Sequence, residues 1–285
     1  MANSASHKFG QIIGDLLEVA IQPFLEQFAA KHHLFLDVKG KRQVRGKGKK
    51  LTWIDGENNK HDLYFVLERG GSKTTQGTPV AFIEAAWRRY TKHSRNKAQE
   101  IQGAILPLAQ KYAYAHPFKG VILAGEFTSG ALNQLRSSGF SVLYFPYQTV
   151  IEAFTAFGID AAFGETTPED VIEEKISSFY DLPSSEDVAI KLVDLNQEQV
   201  DAFLADLEIT VSRRVEQVHV LPLHGNSSML PTVADAINFI NGYIEATGSA
   251  IFIRYEIIVR YNNGSEIVGK LQSKTEALEF LAAYA

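Results

Sequence analysis

The sequence predicts an α/β protein with a central mixed sheet and a smaller C-terminal α/β module, on three observations. Two apolar runs, 62–68 and 79–86, flank a connection at 69–78 rich in Gly, Ser and Thr, as the strands of an antiparallel hairpin do. From Phe118 the pattern changes to strand, short helix, strand, which reads as a parallel crossover added to the same sheet. A polar stretch at 182–187, Leu-Pro-Ser-Ser-Glu-Asp, then precedes a further set of short elements. The domain expectation is therefore 1–181 for the larger part and 188–285 for the smaller.

The elements follow in order. Residues 9–30 place Ile13, Leu16, Leu17, Ala20, Ile21, Phe24 and Phe28 near one helical stripe, with Pro23 expected to kink or split it. Leu34–Val38 is a short strand. The run 39–50 carries seven cations and three glycines, a composition that cannot form a core and suits contact with a phosphate chain. Residues 51–61 combine a strand with a turn at Asp55-Gly56, and the 62–86 hairpin follows. If Glu68 faces Thr78, Asp62 falls opposite Glu84; Glu68, at the far end, reads as an edge or loop charge. A helix starting near Ser94 runs through Tyr112 with Ala98, Ile101, Ile105 and Leu108 on its sheet-facing stripe. Lys97 lies on that stripe, either snorkelling past the core edge or reaching the carboxylates.

Strands at 120–124 and 140–145 bracket a helix at 129–136, and helices fit 148–158 and 168–180, the latter opened by Pro168 and acids. The smaller module comprises the stretch 188–193, a helix near 196–207, a strand at 215–221, a helix at 233–246, strands at 250–260 and 265–271, and a helix at 274–284. Residues 223–231 read as a loop.

Composition narrows the function classes. The chain has 285 residues and no cysteine, which rules out disulfides, thiolate nucleophiles and Cys-ligated zinc; any metal is held by oxygen or histidine. Its N-terminus lacks the apolar core of a signal peptide and no run is long enough to span a bilayer, so a cytoplasmic location without a membrane partner is expected. The net charge of −5 conceals an asymmetry: residues 1–119 carry 19 Lys and Arg against 10 Asp and Glu, a surplus of 9, and the remainder is strongly acidic. The basic part, which contains the hairpin, calls for an anionic partner, nucleic acid being the obvious class.

Glu84 is the residue that needs explaining, since it stands inside an apolar strand. Paired with Asp62 it would suffer like-charge repulsion unless a cation, most simply a divalent metal, neutralised both. Asp62, the strand ending in Ile83-Glu84-Ala85-Ala86 and the helix that follows resemble the PD-(D/E)XK nuclease superfamily over roughly residues 9–145. The resemblance implies a restriction endonuclease-like α-β-β-β-α-β core, Mg²⁺ (or Mn²⁺) bound by Asp62 and Glu84, and a supporting carboxylate from the first helix at Glu18. The lysine expected two residues after the Glu is Ala86 here. In some members it has migrated to the next helix, which makes Lys97 the matching catalytic candidate beside Asp62 and Glu84.

Implied is a metal-dependent DNA endonuclease acting as a homodimer, with the C-terminal module supplying the dimer interface or part of target recognition. Lys39, Lys41, Arg42, Arg45, Lys47, Lys49, Lys50, Arg88, Arg89, Lys92 and Arg95 are the nucleic-acid-binding candidates; Gln99 and Glu100 are auxiliary to the site, and Trp87 and Tyr90 either stack on bases or pack the sheet edge. Two other classes fit the same residues: a nucleic-acid-binding protein that kept the fold without cutting, and a protein-interaction scaffold whose hairpin acids only pair with Arg88 or Lys97.

Overall fold

The computed structural model describes residues 4–223, 225–245 and 251–284. It is an α/β structure whose chain divides into two units, Met1–Glu208 and Ile209–Ala285.

Unit 1 is built on a five-stranded mixed sheet. Its strands are β1 (Leu34–Val38), β4 (Phe65–Arg69), β5 (Thr78–Arg88), β6 (Phe118–Gly125) and β7 (Ser141–Pro146), side by side in that order. β1, β4 and β5 run antiparallel to their neighbours, whereas β5, β6 and β7 are parallel. A separate two-stranded sheet, β2 (Leu51–Ile54) with β3 (Lys60–Leu63), lies between β1 and β4 in the chain. The central strand β5 is buried from Pro79 to Ala86, as a strand covered on both faces must be.

Two helices sandwich that strand. α1 (Ala5–Lys31) is capped by the Ser4 hydroxyl, which accepts from the His7 amide at 3.3 Å. Pro23 neither splits nor ends it: the proline is exposed, and the carbonyl it releases belongs to Val19, itself on the solvent side where water can satisfy it. α2 (Ser94–Lys111) lays Ala98, Ile101, Ile105 and Leu108 against Val66, Phe82 and Ala86 of the sheet, the stripe the sequence predicts.

The hairpin register differs from the expectation. Arg69, not Glu68, faces Thr78; Glu68 faces Pro79 across an irregularity, and pairing stops at Phe65 opposite Ile83. The chain bends at Tyr64, so Asp62 belongs to β3 and faces Thr52 of β2. One run that reads as a single strand therefore serves two sheets.

α3 (Ser129–Ser137) bridges β6 and β7, and α4 (Tyr147–Thr155) and α5 (Glu169–Tyr180) follow. The stretch 188–193 belongs to a helix, α6 (Glu186–Asp194), whose buried Val188, Ala189, Leu192 and Val193 pack it on α1 and α4. Residues 182–185 are thus a turn inside unit 1, and the boundary moves from 181/188 to 208/209, because a helix with an apolar face goes where that face can be buried. The boundary falls inside α7 (Gln197–Val211).

Unit 2 is a four-stranded antiparallel sheet, in spatial order β11 (Glu266–Leu271), β10 (Tyr255–Tyr261), β8 (Val215–Pro222), β9 (Ser228–Leu230), with α8 (Val233–Gly242) and α9 (Lys274–Ala282). β10 alternates buried and half-buried residues along its whole length, the signature of a sheet with one covered face. The segment 223–231 is not wholly a loop, since Ser228–Leu230 pairs with β8. The expected helix end at 246, the strand start at 250 and His224 of that segment lie outside the described residues. Among the described residues no helix is long and apolar enough to cross a membrane.

Candidate functional site

The bend at Tyr64 creates a notch in the main sheet. β4 leaves β5 at Ile83, but β5 runs on to Arg88 with only β6 beside it. One edge of residues 84–88 is therefore free of an antiparallel neighbour, and a cleft of about 610 Å³ opens there between α1 and α2. Its β5 wall is Ala85 to Arg88. Along α1 it is lined by Ser6, Gly10, Gly14 and Glu18, residues four apart that share one helical face. Tyr64 and Lys97 complete it.

Glu84 is buried, with 7% of its surface exposed. Lys97 Nζ lies 4.0 Å from Glu84 Oε1 and 3.3 Å from Glu100 Oε2. The other oxygen, Oε2, is buried with no hydrogen-bond partner. Burial pushes the Glu84 carboxyl up to about 8; Lys97 opposes this, while the charges of Asp62, Glu18 and Glu100 reinforce it. Near neutral pH this carboxyl holds a proton.

The expected companions are near enough for their charges to act on Glu84, yet each already has a lysine. Lys39 Nζ lies 2.7 Å from Glu18 Oε2, and Lys50 Nζ lies 2.6 Å from Asp62 Oδ2. Burial raises the Glu18 pKa despite Lys39, and the Lys50 and Thr52 hydrogen bonds lower that of Asp62. Among the described residues no three His, Asp or Glu side chains converge closely enough to hold a metal ion between them. Mg²⁺, however, binds through one or two carboxylates and keeps several waters. A bare, buried carboxylate oxygen with a second carboxylate nearby fits that requirement in kind.

The cationic candidates separate into two groups. Arg42 is buried: its guanidinium donates to Asp37 (2.6 Å), to both oxygens of Glu68 (2.5 and 2.9 Å) and to the Ser72 and Thr75 carbonyls. Arg45 donates to Asp37 and to the Val38 and Gly40 carbonyls. Arg42 and Arg45 therefore tie the basic loop to the sheet and are not free to meet phosphates. This also corrects the reading of Glu68, which is fully buried and bound by Arg42 and the Gly77 amide. Arg89 is half-buried, stacked 4.0 Å from the Tyr147 ring centroid and donating to the Phe163 carbonyl, and it too lines the cleft.

Lys41, Lys47, Lys49, Lys50 and Arg95 are exposed, as are Lys39 and Lys92. Lys92 pairs with Glu165. Arg88 lines the cleft, 3.6 Å from Glu100, so Glu100 joins the site through Arg88 and Lys97 whereas Gln99 is simply exposed. Trp87 packs against Tyr147 and lines the cleft; Tyr90 lies under Arg89. Sequence reasoning named Glu18 but missed Tyr64 and the rest of the α1 wall. The run of small and polar residues at 6, 10, 14 and 18, along the edge of the apolar stripe, is the signal that could have found the wall.

No family model matches this chain, and no curated protein matches it. Among solved structures, the crystal structure of a protein of unknown function, AF1548, aligns over 69% of this chain and 98% of its own at 9% identity and a TM-score of 0.31. A likeness at that level bears on neither activity nor ligand.

Proposed function

We propose that unit 1 is a metal-dependent endodeoxyribonuclease with a restriction endonuclease-like α-β-β-β-α-β core of the PD-(D/E)XK kind, whose lysine has moved from position 86 to Lys97. The observation that carries this reading is the pairing of a buried carboxylate bearing one bare oxygen with an ammonium arriving from the next helix, beside an open cleft. Position 86 cannot itself supply that ammonium.

Glu84 and Asp62 would hold the ion, with Glu18 as support. Bound Mg²⁺ supplies Lewis acidity that lowers the pKa of a water and polarises a phosphate. Lys97, between Glu84 and Glu100, orients the attacking water and stabilises developing negative charge. Arg88 at the cleft wall clamps the neighbouring phosphate, and the exposed lysines of 39–50 neutralise the flanking backbone. A homodimer would bring two such sites to two strands. Sedimentation analysis tests that part.

The pairing of Glu18 and Asp62 with lysines favours one second reading, a protein that binds nucleic acid without cutting it. Supercoiled plasmid and a long, unmethylated genomic DNA, each incubated with and without Mg²⁺ or Mn²⁺, separate the two. The nuclease reading expects metal-dependent nicking that disappears in Glu84→Ala and in Lys97→Ala. Nicking that survives Glu84→Ala sinks the site assignment, and salt-sensitive binding without cleavage in any divalent metal selects the second reading.

A further inference from the structure

A second cavity of about 520 Å³, sharing no lining residue with the cleft at Glu18 and Lys97, lies between the basic loop and the β2–β3 sheet. Its volume is within the range of small-ligand sites. Five cations line it: Arg42, Arg45, Lys49, Lys50 and Lys60. The carboxylates that answer them are three, Asp37 and Glu68 inside and Asp62 on Lys50. The surplus of two falls on Lys49 and Lys60, which no carboxylate pairs among the described residues. Arg45, in the same wall, has a buried Nε without a hydrogen-bond partner.

The rest of the lining is not what a purely electrostatic surface requires. Val44 and Ile54 are apolar side chains left 41% and 42% exposed, and the Gln76 amide and the Thr52 hydroxyl, which donates to Asp62, share the lining. The loop that carries the cations is a built wall: Arg42 and Arg45 anchor it, the Gly40 amide donates to the Lys49 carbonyl at 2.6 Å, and the Val44 amide donates to the Lys73 carbonyl at 3.3 Å. A ligand matching this lining carries about two negative charges and a partly apolar, hydrogen-bonding body.

We infer that this cavity is a nucleoside-phosphate site, with the phosphate between Lys49 and Lys60 and the base against Val44 and Ile54. The chemistry is shared by a free nucleotide and by the end of a polynucleotide. This inference does not rest on the nuclease reading, since no part of it involves Glu84, Lys97 or cleavage.

Calorimetric titrations at low salt with dAMP, with a 5′-phosphorylated single-stranded 12-mer, with the same 12-mer lacking the phosphate, and with deoxyadenosine test it. The full chain is compared with Lys49→Ala/Lys60→Ala and with a charge-matched control, Arg136→Ala/Lys191→Ala. The site predicts that removing the two lysines weakens binding at least about tenfold, as expected for two charged contacts, while the control stays within about twofold. Binding of dAMP lost in the lysine variant identifies a free-nucleotide site. Binding of only the phosphorylated 12-mer, lost in the same variant, identifies a strand-end site. Equal weakening by both double variants, indifference to the phosphate, or no binding of dAMP or 12-mer overturns the inference. Because cleavage is not read, a failed nuclease assay leaves this result intact, and the reverse holds too.

Discussion

Unit 1 buries carboxylates in three places, Asp55 at the β2–β3 turn among them, and two of these, the Arg42 cluster and Glu84, are solved in opposite ways. At the Arg42 cluster, Asp37 and Glu68 receive donors from one guanidinium, and Glu68 takes the Gly77 amide as well. At the Glu84 site one oxygen faces Lys97 at 4.0 Å and the other faces nothing. A satisfied buried ion cluster holds loops in place; an unsatisfied one keeps a group whose charge depends on what arrives. The difference separates a buried charge that is answered on every side from one that is not, although both sit on neighbouring strands of the same sheet.

The comparison breaks most readily at Arg42. Arg42→Ala strands Asp37 and Glu68 without their cation, and the expected loss is about 3–5 kcal/mol, read as a lowered midpoint in urea denaturation. A smaller loss would mean that the cluster is as loosely held as the Glu84 site.

Next in size is the pH dependence set by Glu84. Its folded pKa, about 8, lies above the ordinary value of 4.5, so between those values the folded chain holds a proton that the unfolded chain lacks. Stability from this group is therefore complete below about pH 4.5 and falls as pH rises towards 8, by at most about 1.4 kcal/mol per unit. Glu84→Gln removes that slope, and melting curves at several pH values between 5 and 9 should show a flatter profile than the parent's. Because a cation must displace the same proton, Mn²⁺ affinity measured by calorimetry should rise over the same window and lose its pH dependence in Glu84→Gln.

Lys97→Met gives a subtler effect. Loss of the opposing cation should push the Glu84 carboxyl higher still, which a carbon-detected NMR titration of Glu84 would register; an unmoved titration would place Lys97 outside the site. Smallest of all is Lys50→Ala. The Lys50–Asp62 pair is exposed, with side-chain exposures of 78% and 47%, so the melting temperature should stay put at physiological salt.

How much of this was legible in the sequence depends on the range of the interaction that decides each feature. The α2 stripe, the β6–α3–β7 crossover and Glu84 as an acid in a buried strand follow from local periodicity, and the structure places them accordingly. Lys97 also lies near Glu84 because the same 3.6-residue period turns it towards the sheet. The register did not follow, because the bend at Tyr64 has no glycine or proline to announce it and both flanking halves are good strands. Arg42 looked like one more cation in a basic run; its partner Glu68 is 26 residues away, and only the folded loop brings them together. The unit boundary was missed for a similar reason, since α6 reads as the start of a new module until its apolar face meets α1.

The bend at Tyr64 has one more consequence. The chain contains two tryptophans, and the bend assigns them to different territories: Trp53 is buried in the small sheet before it, and Trp87 lines the notch that it opens. The protein thus carries its own pair of fluorescent reporters. Acrylamide quenching of single-tryptophan variants, Trp53→Phe and Trp87→Phe, would follow occupancy of the cleft through one and loosening of the β2–β3 sheet through the other, without any attached dye.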